Sequence, residues 1–168
     1  MRIREATSHD WGRIAELTVD AYVEGGHLRP SDTYAQHLKD VALRAQHGEL
    51  LVAEVDGVVA ASTVIAWPGQ NLAELARESE MEFRMLAVDP QFQGRGVARA
   101  LLRHLIARAE AAPGVDGVVL CSLTSMSAAH ALYRSEGFEE DPERDLVITK
   151  EQHGRDARFP FFRRAIVR

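Results

Sequence analysis

The sequence predicts a mixed α/β fold. Short runs rich in valine, isoleucine and leucine alternate with longer segments whose apolar residues recur every three or four positions. The run 117–123, GVVLCSL, is apolar at nearly every residue, as expected of a strand covered on both faces. Asp56-Gly57 separates two further runs and is a strong signal for a two-residue hairpin, so part of the sheet is expected to be antiparallel.

The composition is that of one globular unit, and we expect a single domain over 1–168. No stretch is apolar for long enough to span a membrane, so no membrane partner is expected. The net charge of −5 argues against nucleic acid as a partner, because phosphate neutralisation needs a surplus of Lys and Arg. The N-terminus lacks an apolar signal segment and Cys121 is the only cysteine, which predicts a cytoplasmic protein without an internal disulfide.

The N-terminal segment is predicted to form one strand and two helices. RIREA alternates like a strand, and Ser8 or Asp10 then caps a helix that ends at a pair of glycines. Ser31 caps a second helix, which continues to Gly48. The apolar residues of the second helix are expected to face the core.

The middle of the chain is predicted to form three strands. The runs 50–55 and 58–67 flank the Asp-Gly turn as antiparallel neighbours. A polar connection, 68–80, follows, with one helical turn expected in it. It leads into the strand MEFRMLAV, 81–88.

The last part is predicted to contain two helices and three strands. A helix from about Arg95 to Ala112 joins MEFRMLAV to GVVLCSL as a right-handed crossover. A further helix runs from Ser125 or Ser127 to Glu136, and LVIT and FPFFRRAIV are the final strands. The segment FPFFRR is apolar on both sides, so a homodimer through this strand is one arrangement to test.

The segment LAVDPQFQGRGVARALL passes from a strand into a helix through Gly94 and Gly96. A helix start leaves several backbone N–H groups unpaired, and the macrodipole favours negative charge there. Residues without Cβ let a ligand approach the backbone closely, so the junction predicts a phosphate site. Arg95, Arg99 and Arg103 could bind further phosphate oxygens, although a tight turn with a solvated basic face is the alternative.

Two common phosphate motifs do not fit this junction. A dinucleotide fingerprint needs a third glycine where Arg99 stands, and a Walker A loop needs Gly-Lys-Ser/Thr, which the chain lacks. Neither NAD nor a nucleoside triphosphate is therefore expected.

QGRGVA, Gln93–Ala98, instead resembles the Gln/Arg-x-x-Gly-x-Gly/Ala signature of the GCN5-related N-acetyltransferase (GNAT) superfamily. EFRMLAVDP is similar to that family's central strand, and AAHALYRSEGF, Ala128–Phe138, is similar to its later helix-turn motif. Order and spacing agree across about Met81 to Phe138. The resemblance implies the acyl-CoA N-acyltransferase fold: a mostly antiparallel central sheet, helices on both faces, and a parallel splayed strand pair at the cofactor site.

By this resemblance the acyl donor is acetyl-CoA and no metal takes part; the histidines also lack metal-site spacing. The residues implied to bind the cofactor are Leu86, Val88, Gln93, Gly94, Arg95, Gly96, Val97, Ala98, Arg99, Ser127 and Tyr133. Many family members carry an asparagine where this chain has Met126. Ser125 or Ser127 replaces that contact, or the contact is missing.

The resemblance also implies three catalytic residues. Glu82 is expected to be the general base acting through water, with Glu80 as the second choice and an exposed carboxylate as the alternative reading. The backbone N–H of Leu86 is expected to stabilise the oxyanion where a bulge parts two strands. Tyr133 matches the acid that protonates the leaving thiolate, and a helix-packing aromatic is the alternative.

The expected reaction is direct attack by a primary amine of a small molecule in a ternary complex. The alternatives are an enzyme that acetylates protein N-termini or lysines, and an acyl-CoA-binding sensor without catalysis. Two loops, 24–32 and 67–80, are expected to form the acceptor walls. Candidate pocket residues are Tyr22, Tyr34, Trp67, Glu74, Glu78 and Glu80. Cys121 is expected to be a small buried hydrophobe. His130 is expected to be a surface residue, with a position lining the cleft near Tyr133 as the alternative.

Overall fold

The computed structural model describes residues 1–149 and 156–168 and has one large sheet, one small sheet and five α-helices in these ranges. The strands are β1 (Arg2–Glu5), β2 (Glu49–Val55), β3 (Val58–Ala66), β4 (Glu80–Val88), β5 (Gly117–Cys121), β6 (Glu139–Glu140), β7 (Leu146–Ile148), β8 (Ala157–Phe159) and β9 (Phe161–Ala165). The helices are α1 (Trp11–Glu24), α2 (Thr33–Leu38), α3 (Val41–His47), α4 (Val97–Ala111) and α5 (Ser127–Ser135). Short 3-10 turns cover Ser8–Asp10, Pro90–Phe92 and Pro142–Arg144.

The large sheet has the strand order β1-β2-β3-β4-β5-β9-β6. Every neighbouring pair in it is antiparallel except β4 and β5, which run parallel and are joined through α4. The predicted mixed fold, with a mostly antiparallel sheet and one parallel pair, is confirmed. Strands β7 and β8 form a separate antiparallel pair, so the predicted strand LVIT exists but lies outside the main sheet.

Helices cover both faces of the large sheet. One face packs against α4 and α5 through a cluster that includes Leu102, Leu105 and Tyr133. The other face packs against α1, α2 and α3 around Ile14 and Leu38. Alternation along β2 and β4 sends successive side chains to opposite clusters, as a pleated strand requires. None of the helices in the described ranges is long and apolar enough to cross a membrane.

The Asp56-Gly57 hairpin is confirmed. Both residues have positive φ, 52° and 78°, as a type I′ turn needs. Val55 and Val58 pair directly across the turn, which fixes the register of β2 against β3.

The prediction of one helix from Ser31 to Gly48 was wrong, because the segment forms α2 and α3. Asp40 leaves the helical conformation, and its side chain accepts a hydrogen bond from the backbone N–H of Leu43 at 3.2 Å. An aspartate that can cap a new helix competes well with continuation of the old one. The expected helical turn in 68–80 is also absent, since this connection is irregular.

Candidate active site

A bulge in β4 opens the sheet at the centre of the molecule. Ser62 and Val64 of β3 pair with Ala87 and Arg84, so that Met85 and Leu86 together face one residue of β3. Met85 has φ 55°, which is the left-handed conformation of such a kink. The pairing of β4 with β5 ends at Glu82 and Val119, so the two parallel strands separate over the same residues. The bulge and the splayed strand pair expected around Leu86 are therefore present.

The loop after β4 ends in a helix start with accessible backbone. Gly96 is the N-cap of α4, no side chain caps this helix, and both Gly94 and Gly96 have φ 77°. A Cβ added at either glycine would meet nothing within 4 Å, so the space above the loop is open. Exposed amides, a helix dipole and no side chain in the way suit a pyrophosphate group.

The anchor of this loop is Asp89. Its carboxylate accepts from the backbone N–H of Gln91 at 2.8 Å and pairs with Arg13 of α1. Burial alone would raise the pKa of Asp89, but these two bonds hold it below its ordinary value. The loop is thereby fixed to α1 as well as to the sheet.

The predicted cofactor residues of the loop differ in whether their side chains are exposed or already bound to other residues. Gln93 donates from its side chain to the carbonyl of Val88 at 3.3 Å, which keeps the loop closed. Arg95 is exposed, lies over the ring of Phe92 and approaches Asp56 at 3.6 Å. Arg99 contacts Ser135 and Glu136 rather than standing free at the helix start. Of the remaining residues, Val97 is buried and Ala98 is half-buried in the first turn.

Glu82 lies on β4 with its side chain buried at the mouth of the splay, with 1% of the residue exposed. Its Oε2 accepts hydrogen bonds from the backbone N–H groups of Leu75 and Ala76, at 3.1 and 3.3 Å. Burial raises the pKa of Glu82 above its ordinary value, although these bonds and the charge of Arg84 oppose the shift. Such a carboxylate is held in place and has increased affinity for a proton.

Glu80, the second choice for the base, is already engaged. Both of its oxygens bind arginines: Arg144 at 2.8 and 2.9 Å and Arg163 at 2.8 Å. Burial would raise its pKa, but the bonds from Arg144, the backbone N–H of Arg77 and Arg163 lower it to about 2. This geometry disfavours Glu80 as a base and gives it a structural role.

Tyr133 projects from α5 into the aromatic part of the core. Its ring lies 5.5 to 6.1 Å from the rings of Phe83, Phe138 and Phe162. Burial raises the pKa of its hydroxyl well above the usual range.

At the start of α5, Met126 stands where the resemblance implied an asparagine. Met126 is the N-cap residue, and its sulfur accepts a weak bond from Ser122 at 3.7 Å. Ser127 is exposed at the first helical position, while the hydroxyl of Ser125 lies 2.7 Å from the imidazole of His27. Ser127 thus remains open to a ligand, and Ser125 is tied to the loop after α1.

His130 and Cys121 differ from expectation. The prediction of a surface histidine was wrong: His130 is buried against Phe162, and its Nε2 has no hydrogen-bond partner among the described residues. Cys121 is half-buried at the end of β5. Burial raises its pKa to about 11, which keeps the thiol protonated.

The predicted acceptor pocket assembles only in part. Tyr22 and Tyr34 meet edge to face at 6.2 Å on the α1 side of the sheet. Trp67 packs against the opposite cluster and donates to Glu49 at 2.9 Å, so it does not join them. Glu74 and Glu78 are exposed.

Sequence reasoning missed three arginines. Arg44 and Arg84 donate to the carbonyls of Leu38 and Leu72, two members of the cluster that also contains Tyr22 and Tyr34. Arg144 binds Glu80 and donates to the carbonyl of Leu75 at 2.9 Å. Arg144 therefore holds the segment whose amides bind Glu82. The placement of Arg84 two residues after Glu82 was a usable signal, because alternate residues of a strand share a face.

Taken together, a splayed parallel strand pair, an uncapped glycine helix start and a buried carboxylate define a site for group transfer from a phosphate-bearing donor. The comparisons with known proteins identify the class more closely. Residues 11–138 match the family model described as Acetyltransferase (GNAT) family. The N-alpha-acetyltransferase RimI of Mycobacterium tuberculosis is 37% identical over 134 residues, 79% of this chain and 75% of that protein.

Solved structures show the same fold. A ribosomal-protein-alanine N-acetyltransferase from Brucella melitensis superposes with a TM-score of 0.70 at 25% identity, over 98% of this chain and 99% of that one. A GNAT phosphinothricin acetyltransferase from Sinorhizobium meliloti, solved in complex with acetyl-CoA, gives 0.69 at 21% identity, over 98% and 88%. The chain belongs to the GNAT family and is an N-acetyltransferase. The family prediction from QGRGVA is confirmed.

Proposed function

We propose that the protein transfers the acetyl group of acetyl-CoA to the α-amino group of a peptide or protein N-terminus. The observation that carries this proposal is Glu82, a buried, hydrogen-bonded carboxylate four residues before the second residue of the β4 bulge. Burial raises the pKa of Glu82, which makes it a better base than an exposed carboxylate. An α-amine with a pKa near 8 needs less help than an alkylamine near 10.4.

The donor side fits acetyl-CoA. The α4 start with Gly94 and Gly96 would hold the pyrophosphate through backbone N–H groups, and the open β4–β5 edge would bind the pantetheine arm beside Leu86 and Val88. Arg95 is the loop arginine best exposed for a further phosphate contact. Ser127 is available at the start of α5.

The chain's residues then divide the chemistry. Glu82 accepts the proton of the attacking amine through water, the backbone N–H of Leu86 stabilises the oxyanion, and Tyr133 donates a proton to the departing thiolate. Attack is direct, in a ternary complex. Burial raises the pKa of the phenol, which keeps it protonated but makes it a weaker acid in isolation. The transfer becomes favourable because the leaving thiolate forms in the same buried site, where desolvation also raises the pKa of the thiol.

The acceptor assignment is supported by the relatives. The Mycobacterium tuberculosis relative is named for N-alpha-acetylation, and the Brucella melitensis structure for acetylation of a ribosomal-protein alanine. A free small-molecule amine is the second candidate, favoured by the buried Tyr22 and half-buried Tyr34, which narrow the acceptor side.

The test is release of CoA thiol from acetyl-CoA with matched acceptors. Peptides with a free N-terminus, the same peptides with a blocked N-terminus and a free lysine, and small amines are compared. Turnover confined to free N-termini supports the proposal, whereas turnover only with lysine or small amines would contradict it.

The variant Glu82→Gln tests the base. We expect kcat/KM at neutral pH to fall by about 100-fold or more, and its rise with pH through the raised Glu82 pKa to disappear. Glu78→Gln is the matched control, because it changes an exposed carboxylate in the connection just before β4. It should leave kcat/KM and its pH dependence unchanged. An unaltered pH profile in Glu82→Gln would remove Glu82 from the mechanism.

A further inference from the structure

Two arginines on the acceptor side of the sheet lack a strong anionic partner. Arg44 of α3 is 4% exposed, and its guanidinium donates to the carbonyl of Leu38 at 2.7 Å. Among residues 1–149 and 156–168, no carboxylate forms an ion pair with it. A buried charge is costly when it is not paired, so this position calls for an anion.

Arg84 brings a second positive charge to the same region. Its side chain is 24% exposed, and its contacts are a long bond to the carbonyl of Leu72 at 3.5 Å and the exposed Glu74 at 3.6 Å. The carbonyls that accept from Arg44 and Arg84 belong to Leu38 and Leu72, and both leucines are part of one apolar cluster, so the two guanidinium groups lie on the same side of the sheet. An anion bound between two such cations would be stabilised by both.

The surrounding groups are hydrogen-bonding rather than negative. Tyr22 and Tyr34 belong to the same cluster as Leu38 and Leu72. Burial raises the pKa values of both tyrosines, so both phenols keep their protons. Protonated phenols and guanidinium groups are all donors. Together they form a donor-rich recess beside the cleft.

The recess has a defined relation to the base. Glu82 and Arg84 are separated by two positions on β4 and share one face, which puts their Cα atoms roughly 6 to 7 Å apart. Glu82 would bind the amine of the acceptor in its charged or neutral form. Arg84 is the next residue of β4 on the same face. An acceptor that carried an amine and an anion a few bonds apart would match both.

We propose that the acceptor bears a carboxylate close to its reacting amine and that Arg84, backed by Arg44, binds this carboxylate. The inference rests on the proposed function and narrows its substrate class. Under the proposed function this carboxylate is an acidic side chain at a peptide N-terminus. Under the second candidate function, a small-molecule amine, it is the main-chain carboxylate of a free amino acid. Planar guanidinium groups bind carboxylates in two-point contacts, which gives both affinity and orientation.

The first experiment measures acceptor preference in wild type and Arg84→Met. Peptides that begin with Asp are compared with the same peptides beginning with Asn, and free amino acids with their amides. We expect wild type to favour the carboxylate member of one pair by about tenfold or more in kcat/KM. The pair that responds identifies the source of the carboxylate.

In Arg84→Met the preference ratio should fall to about 1. Arg77→Met is the matched control, because it removes an exposed arginine in the connection just before β4, and it should keep the preference ratio. Equal rates within both pairs in wild type would overturn the proposal, as would an unchanged ratio in Arg84→Met. Thermal melting and acetyl-CoA binding check that each variant is folded.

The second experiment separates this inference from the proposed function. Calorimetry measures how tightly the CoA-bound protein binds acetylated products. The products compared are acetylated Asp peptides with acetylated Asn peptides, and acetylated amino acids with their amides. If no acceptor is turned over, the proposed function fails, but a carboxylate preference that depends on Arg84 would still support the recess. Glu74→Gln removes a competing carboxylate from an exposed site and should strengthen carboxylate binding severalfold; weaker binding in this variant would contradict the proposal.

Discussion

At the scale of single residues, Tyr133 combines a packing role with a chemical one. Three phenylalanine rings hold its ring in place, and burial keeps its hydroxyl protonated. Removing only the oxygen should therefore separate the two roles, because phenylalanine fills almost the same volume.

For Tyr133→Phe we expect kcat to fall by about 100-fold with little change in acetyl-CoA affinity or melting temperature, since the proton donor is lost and the packing stays. Steady-state kinetics and calorimetric binding of acetyl-CoA check this. Unchanged turnover would make Tyr133 a packing residue.

Single residues also show where sequence reasoning reached its limit. Glu82, Leu86 and Tyr133 could be selected because they belong to motifs with fixed spacing. His130 could not be classed as buried, because the pattern of α5 alone does not reveal that Phe162, 32 positions later, covers it. Arg44 was missed for the same reason, since its burial depends on the packing of α3 against α1, β2 and β3.

At the scale of elements, the start of α4 depends on backbone conformation more than on side chains. Gly96 has φ 77°, and a Cβ there would meet no neighbour, so a substitution acts through the backbone alone. A left-handed conformation costs an L-residue about 1 to 2 kcal/mol.

Gly96→Ala should lower the free energy of unfolding by about 1 kcal/mol and weaken acetyl-CoA binding by roughly tenfold, because relief of the strain would turn the N–H groups away from the phosphates. Chemical denaturation and calorimetry measure the two effects. Gly12→Ala, at an equally open position in α1 without positive φ, should be neutral or slightly stabilising. Equal effects of both changes would refute the backbone argument.

Elements with a regular period or a strong turn signal were predicted well. The hairpin, β4, α4 and β5 all follow from local patterns, and their order gave the crossover. The break between α2 and α3 was not predicted, because the apolar period continues across Lys39 and Asp40 while the capping bond to Leu43 ends it. The apolar period favours one continuous helix there, whereas the capping bond of Asp40 favours the start of a new helix, and the chain forms two helices.

At the scale of the whole molecule, Glu80 joins segments that are far apart in the chain. It binds Arg144, 64 positions away, and Arg163, 83 positions away. Gly117 belongs to this network because a Cβ there would lie 2.6 Å from the guanidinium of Arg163. No pattern in the sequence could pair these residues, since the contacts exist only once β4, β5 and β9 are assembled.

The same network predicts how stability depends on pH. The pKa of Glu80 is lowered in the folded protein to about 2 from an ordinary value of 4.5. The stabilisation is therefore complete above about pH 4.5 and is lost as the pH falls towards 2. Urea unfolding at a series of pH values should show a steep loss of stability in this window.

Glu80→Gln should flatten that loss and destabilise the protein at pH 7 by about 3 to 5 kcal/mol, because two partly buried arginines lose their partner. Glu78→Gln, an exposed change, should stay within about 0.5 kcal/mol of wild type. If the stability of Glu80→Gln depended on pH as steeply as that of wild type, other carboxylates would control acid unfolding.

The contact of Arg99 and Arg103 with Glu136 has a consequence for the reach of the donor. Glu136 directly follows α5, three residues after Tyr133, while Arg99 lies in the first turn of α4 beside the glycine loop. These ion pairs fix the span between the loop that would hold the pyrophosphate and the tyrosine that would meet the sulfur. The pantetheine chain sets the distance between the pyrophosphate and the sulfur of the donor. A protein that fixes the distance between the phosphate loop and Tyr133 therefore favours donors in which these two groups are the same distance apart.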